Sequence, residues 1–232
     1  MFRSAIVTSI GVVALACQFF LPVAVSAGEV EDKLTERIQL GIAVQTPFKE
    51  ALGYLSRFHG LKIEIDEEAF ARENRKNPKD MRTSIAKMDG VFVNTFLRYV
   101  LLQADAIYII RDKSIVIVPN TEKGKPLSFP PYSEKELKAQ EQLRDAVAKK
   151  GELKIEKDVE GPILDTSDLL NNQLHLRLII DPAEFKGAGG EKAVIKAGKY
   201  AFKDLMAELL KGIKATFQIE PDHIRIVRQR ES

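Results

Sequence analysis

Two stretches of the chain repeat apolar residues at the spacing of one helical face. In each stretch six apolar side chains recur at offsets of 0, 3, 4, 7, 8 and 11 residues, the pattern of an amphipathic helix with a buried stripe. The pattern predicts helices over residues 93–104 and 202–213 that pack into a core rather than line a cofactor. The stripes are Val93, Phe96, Leu97, Val100, Leu101 and Ala104, and Phe202, Leu205, Met206, Leu209, Leu210 and Ile213.

A shorter helix, set between two strands, is predicted ahead of the first of these helices. Residues 37–43 alternate apolar and polar positions, as a half-buried strand does, and Thr46 and Pro47 then supply a helix start. Gly60 ends this helix before a strand at residues 61–65. The apolar stripe of the helix consists of Phe48, Ala51, Leu52 and Leu55.

The same series of elements is predicted twice along the chain. A shift of 115 residues aligns residues 34–70 with 149–185 without a gap, and a shift of 109 aligns 91–118 with 200–227. The matching positions are those that the periodicity predicts to be buried, so we infer a duplication whose second copy is shorter in its middle loop. Both copies end in a predicted hairpin, formed by residues 106–111 and 114–118 in the first and by residues 215–220 and 224–228 in the second.

The segment between the two copies is predicted to be a linker followed by a charged helix. Residues 119–133 contain four prolines, which is typical of a linker. Ser133 and Glu136 then match a capping box that opens a helix reaching about Lys149. The chain is thus predicted to be an α+β protein with two tandem small domains of βαβ-βαβ type, each with two helices packed on small sheets.

The amino terminus has the features of a secretory signal peptide. One positive charge precedes an apolar run at residues 5–21, and small residues then lead to Ala27, after which we predict cleavage. An uncleaved anchor is the alternative, because residues 5–27 are long enough to cross a bilayer, although Gln18 and Pro22 weigh against it. We therefore expect a periplasmic or secreted protein. The predicted segments are the signal peptide at 1–27, the first domain at 28–120, the linker and charged helix at 121–150, and the second domain at 151–232.

Composition excludes several classes of function. The 232 residues carry 35 basic and 33 acidic side chains, a formal charge of +2, so the chain lacks the basic field of a nucleic-acid-binding protein. The single cysteine, Cys17, lies in the apolar amino-terminal run, and only three histidines are present. We therefore predict no internal disulfide, no metal site and no cofactor.

Four local patterns contain residue types that could carry chemistry, but each is better explained by a structural role. The glycine-rich residues 186–192 lack the spacing of a phosphate-binding loop and are predicted to be a flexible connection. His59 and His175 are predicted to be helix-end or surface residues, and the charged run at 67–80 a solvated loop or frayed helix. Asp66 and Asp181, at matching strand ends, are predicted to make turn or cap hydrogen bonds.

The order of elements resembles the secretin and TonB short N-terminal domain, and looks closest to tandem copies in bacterial envelope proteins of planctomycete type. The likeness covers roughly residues 36–118 and, more weakly, 152–228. It implies two helices against small sheets, a role in protein contacts in the bacterial envelope, and no catalytic residue. The residues that carry it are Thr46, Pro47, Phe48, Ala51, Leu52 and Leu55, then residues 61–66, 96–102 and 115–118.

The first predicted hairpin is apolar on both faces, and the second is not. Ile107, Ile109, Val116 and Val118 point away from the helices, where a two-layer domain needs no apolar side chains. We therefore predict that this set is an interaction face covered by the other domain, the linker or another chain, with intramolecular cover as the first expectation. The matching residues of the second copy are Thr216, Gln218, Arg225 and Val227.

These observations predict a non-enzymatic adaptor of the cell envelope that binds another protein, of unknown identity, through its two domains. Nucleic acid is not an expected partner, and membrane contact is expected only through an uncleaved anchor. The alternative is a small-ligand receptor or an enzyme with a cleft between the domains, in which Asp66 and Asp181 supply acids.

Overall fold

The computed structural model describes residues 26–40, 44–85, 87–122, 127–175, 177–180 and 192–229. The predicted signal peptide lies outside these residues except for its last two, which begin a helix. Asp181 and nearly all of the glycine-rich loop also lie outside them. The described chain is a mixed α+β structure, which confirms the α+β part of the prediction.

The first half of the chain, residues 26–122, contains four helices and five strands among its described residues. The helices are α1 (Ser26–Leu34), α2 (Phe48–His59), α3 (Glu67–Arg72) and α4 (Val93–Gln103), with a 3₁₀ turn at Pro78–Asp80. The strands are β1 (Val44–Pro47), β2 (Lys62–Ile65), β3 (Arg82–Ile85), β4 (Ala106–Arg111) and β5 (Ser114–Pro119).

Two small sheets organise this half. Strand β1 pairs antiparallel with β3. In the larger sheet, β5 lies in the centre, parallel to β2 and antiparallel to β4. The stripe predicted for α2 is its buried face, and Gly60 ends the helix in the left-handed conformation with φ of 60°, which glycine adopts at low cost.

Two predictions for this half need correction. Residues 37–40 do pair with residues 88–92 in an extended conformation, but β1 is a separate strand at the place predicted to begin the helix. The first six residues of the charged run at 67–80 form an ordered helix, α3, because the carboxylate of Asp66 accepts the Ala69 N–H at 2.8 Å and Phe70 is buried.

The linker helix forms where the capping box predicts it. Helix α5 (Glu134–Lys149) begins after Ser133, whose side chain accepts the Glu136 N–H, while the Glu136 carboxylate accepts the Ser133 N–H. This reciprocal bonding satisfies two backbone donors that a helix start leaves without partners.

The second half, residues 151–229, has the same order of strand pairings as the first. Its elements are β6 (Leu153–Ile155), β7 (Val159–Pro162), α6 (Ile163–Leu174), β8 (Leu178–Ile180), β9 (Lys192–Ile195), β10 (Gly198–Tyr200), α7 (Phe202–Leu210), β11 (Ala215–Ile219) and β12 (Ile224–Arg228). Strand β7 pairs antiparallel with β9, and in the three-stranded sheet β12 lies between the parallel β8 and the antiparallel β11. Strands β6 and β10 pair at the positions equivalent to residues 37–40 and 88–92.

The buried apolar side chains form two clusters in the described residues, one centred on each half. Every residue of the stripes predicted for residues 93–104 and 202–213 is buried. Within the described residues, no helix has both the length and the apolar character that a membrane-spanning segment requires.

Candidate functional site

The two halves meet where α4 faces the second three-stranded sheet. We call the side of each such sheet that points away from its own helices its outer face. Ile179 lies on the outer face of the second sheet, yet it is 5% exposed and belongs to the cluster of the first half. Its neighbours Leu178 and Ile180 belong to the cluster of the second half, as strand alternation requires. The outer face of the second sheet therefore docks against the first half.

Helix α4 is buried on more than one side because the second half docks against it and Glu136 of the linker helix contacts it. Eight of its eleven residues are buried, whereas α7, its counterpart, buries five of nine. The additional buried residues include Asn94, Thr95 and Tyr99. The corresponding side of α7 carries Asp204, which is exposed.

A carboxylate of the second half caps the start of α4. Asp222 has a fully buried side chain, lies in the turn between β11 and β12, and accepts the Phe92 N–H and, at 2.9 Å, the Thr95 hydroxyl. The Arg37 guanidinium is 3.6 Å away, and the His223 ring nitrogen Nδ1 is 2.8 Å away. Because Phe92, the residue before α4, has no side chain that can cap the helix, Asp222 supplies both the missing acceptor and a favourable charge for the helix dipole.

The surroundings of Asp222 favour its ionised form. Burial raises the pKa of Asp222, but the hydrogen bond and charge of His223, with the hydrogen bonds from Phe92 and Thr95, outweigh burial. The pKa therefore lies below the ordinary value of 3.8. The carboxylate is thus a charged, hydrogen-bonded link between the halves at neutral pH.

A second buried polar network connects α4 to the linker helix. The Tyr108 hydroxyl donates to Asn94 Oδ1 at 2.8 Å, and Asn94 Nδ2 donates to Glu136 Oε1 at 2.5 Å. Burial, with a further contribution from Glu136, raises the pKa of Tyr108 to about 12 against the opposing charge of Arg98. The network fixes α5 on the first half.

A groove of about 780 Å³ lies beside this network, between the linker and the second sheet. The Arg98 guanidinium lies 4.0 Å from the centre of the Tyr132 ring and donates to the Pro130 carbonyl at 2.6 Å. The Tyr132 hydroxyl donates to the Glu220 carboxylate at 2.6 Å. The outer face of the second sheet lines the groove with Thr216, Gln218, Arg225 and Val227.

The structure places the four predicted interaction residues in one patch on the first sheet. Ile107 lies opposite Val118, and Ile109 lies opposite Val116. Val116 is buried at 8% exposure and the other three are half-buried, and none of the four belongs to either core cluster. None of the four lines the groove between the halves, whereas the matching residues of the second sheet do.

The described residues among the chemical candidates, Asp66, His59 and His175, lie apart from this groove. Asp66 caps α3, and the partner predicted for it, Asp181, lies outside the described residues. His59 is the last residue of α2 and contacts Glu36 at 2.7 Å, and His175 is exposed at the end of α6. Within the described residues, no group of His, Cys, Asp or Glu is suited to hold a metal ion.

Asp222 and Asn94 are the residues that the sequence did not reveal. Asp222 lies in a turn, where aspartate is common, and its contact with Phe92 spans 130 residues. Asn94 interrupts an apolar helix, which is the only local signal of a buried role. The capping box did reveal Glu136, though not its bond to Asn94.

Comparison with known proteins identifies no relative: no family model, no curated protein and no solved structure matches the chain.

Proposed function

We propose that the chain is a non-enzymatic adaptor of the bacterial envelope, periplasmic or secreted, that acts by binding another protein. In this proposal its halves are two copies of a small module similar to the secretin and TonB short N-terminal domain. Both halves open a helix of twelve residues after a proline, Pro47 or Pro162, and both place a central strand between one parallel and one antiparallel neighbour. These correspondences support a common origin for the two halves.

One observation carries the adaptor proposal: the two outer faces differ in composition and in use. The second sheet presents polar side chains that line the groove against the first half. The first sheet presents Ile107, Ile109, Val116 and Val118, which lie outside both core clusters. A patch of aliphatic side chains on a sheet face favours contact with another protein.

Photo-crosslinking in the native host tests this proposal. A photoreactive amino acid at Ile109 is expected to give a discrete adduct with another protein. The same amino acid at Gln218, the matching position of the second half, is expected to crosslink only within the chain. If Ile109 gives no adduct with another protein, or if both positions give the same adduct, the adaptor role through this face is wrong.

The alternative is a receptor or enzyme that binds a small molecule between the halves. The groove of about 780 Å³, with Arg98, Arg225 and Arg228 in its lining, favours an anionic compound. In that case small dicarboxylates or sugar phosphates raise the midpoint of thermal unfolding, and Arg225→Gln removes the effect. The adaptor proposal expects no such shift.

A further inference from the structure

The outer edge of β2 presents backbone groups that can accept another strand. The Asp66 N–H donates to the Ile117 carbonyl on β5 at 2.9 Å, so alternate residues of β2 direct their backbone groups toward β5. Ile63 and Ile65, at the intervening positions, direct their N–H and C=O groups away from β5. Among the described residues, no hydrogen bond joins these groups to a partner.

The equivalent edge in the second half is closed by a side-chain amide. Leu178 of β8 corresponds to Ile63, and its backbone groups also face away from the sheet centre. Asn171 of α6 accepts the Leu178 N–H at 2.6 Å and donates to the Leu178 C=O at 3.0 Å. A carboxamide that makes both bonds reproduces what the peptide group of a neighbouring strand does.

In the first half this position opens onto a groove. Ser56 of α2 corresponds to Asn171, and Gly53 corresponds to Asp168, so two positions of the helix beside β2 carry smaller residues than their counterparts. A groove of about 540 Å³ runs between α2 and β2, and both Ser56 and Ile63 line it. The second half also has a groove at this place, of about 440 Å³, but there Asn171 already bonds the edge strand, whereas Ser56 makes no such bond within the described residues.

We propose that the β2 edge binds an extended peptide segment of the partner protein, which adds a strand to the first sheet. This inference rests on the proposed adaptor function and names the surface and the kind of partner. The main chain of the bound segment makes hydrogen bonds with the N–H and C=O groups of Ile63. These bonds replace those that the Asn171 carboxamide makes with Leu178 in the second half. The four residues of β2 accommodate about four to six residues of peptide.

The geometry favours a peptide over a second copy of the chain. Antiparallel twofold pairing of two β2 edges brings both α2 helices to the same side of the joined sheet. Each α2 lines the groove along its own β2 edge, so this pairing brings the two helices close together, whereas a peptide enters the groove without a second helix. The lining also holds both signs of charge, including Lys49 and Glu50, so binding depends on the main chain more than on net peptide charge.

Selection from a phage-displayed library of random twelve-residue peptides, with the full chain as bait, tests the inference. Enriched peptides are expected to bind the wild-type chain and Ser56→Ala with similar affinity. Ser56→Asn, which installs the closing amide, is expected to weaken binding by more than about tenfold. Binding is also expected to shift the amide resonances of Ile63 and Ile65.

Two controls distinguish a blocked edge from a loss of folded structure. Asn171→Ser opens the second edge and is expected to raise the stoichiometry from about one peptide to two. The circular dichroism spectrum of Ser56→Asn is expected to match that of the wild type, because the new amide satisfies edge groups instead of breaking contacts.

Three results would overturn strand addition at β2: no enrichment of peptides, peptides that bind Ser56→Asn as tightly as the wild type, or a wild-type chain that dimerises through β2. The adaptor role is tested separately by crosslinking from Ile109. An adduct there without peptide binding at β2 leaves the adaptor function standing and rejects the strand-addition surface.

Discussion

Replacement of Asp222 with alanine is expected to lower the free energy of unfolding by about 3–5 kcal/mol and to uncouple the two halves. The change leaves the start of α4 without its acceptor and leaves Arg37 and His223 without the carboxylate between the halves. Urea unfolding of the variant is expected to resolve two transitions in place of one. Asp158→Ala is the matched control: Asp158 also accepts a backbone N–H, but it is exposed, and little change is expected.

Protonation of Asp222 is also expected to lower the stability of the folded protein in acid. The pKa of Asp222 is lower in the folded chain than in the unfolded chain, so its contribution is complete above the ordinary value of 3.8 and is lost as the pH falls through the folded pKa. Wild-type stability is therefore expected to fall more steeply below pH 4 than that of Asp222→Ala. A single transition with unchanged stability in the variant at neutral pH would contradict the assigned role.

Replacement of Asn94 with leucine is expected to have the second largest effect, a loss of about 3 kcal/mol in the free energy of unfolding. Asn94 contacts the Tyr108 hydroxyl and the Glu136 carboxylate, both of which are buried. Leucine leaves these two polar groups without their amide partner. Chemical unfolding monitored by circular dichroism measures the loss.

Two further variants show whether the loss in Asn94→Leu comes from the buried network or from any leucine placed on a helix. Asn172→Leu changes an exposed asparagine of α6 and is expected to be nearly neutral. Adding Glu136→Leu to Asn94→Leu is expected to recover part of the loss, because an apolar pair costs less than a buried carboxylate that has lost its Asn94 donor. Equal losses from Asn94→Leu and Asn172→Leu would show that the network is unimportant.

The helices and hairpins of this fold were predictable because their signals are local. The stripe from Val93 to Ala104 fixes one buried face within a single element, and the bond between Ser133 and Glu136 spans only three residues. The long strands of the hairpin were predictable for the same reason, because β4 and β5 are adjacent in the chain.

The small two-stranded sheets were not predictable, because their strands are short and their partners distant. Strand β3 has four residues, of which only Thr83 and Ile85 are buried, too few to establish a period. Its partner β1 lies almost forty residues earlier, with α2, β2 and α3 between them. The pairing of these strands depends on the packed fold rather than on either sequence alone.

The polar residues that set the two halves apart were hidden for a related reason. Asn171 and Asp222 are ordinary residues for a helix surface and a turn, and only their partners give them roles. The alignment of the two copies does pair Asn171 with Ser56, but the importance of this difference depends on Leu178 lying at a sheet edge.

We propose that the two halves differ at the equivalent sheet edge: the second is closed by Asn171, and the first is open to a partner. Residue-resolved amide hydrogen exchange of the isolated full chain tests the claim most directly. The Leu178 amide, bonded to Asn171, is predicted to exchange about a hundredfold more slowly than the Ile63 amide at the equivalent edge. Equal protection of the two amides would show that both edges are closed or both are open, and would contradict the claim.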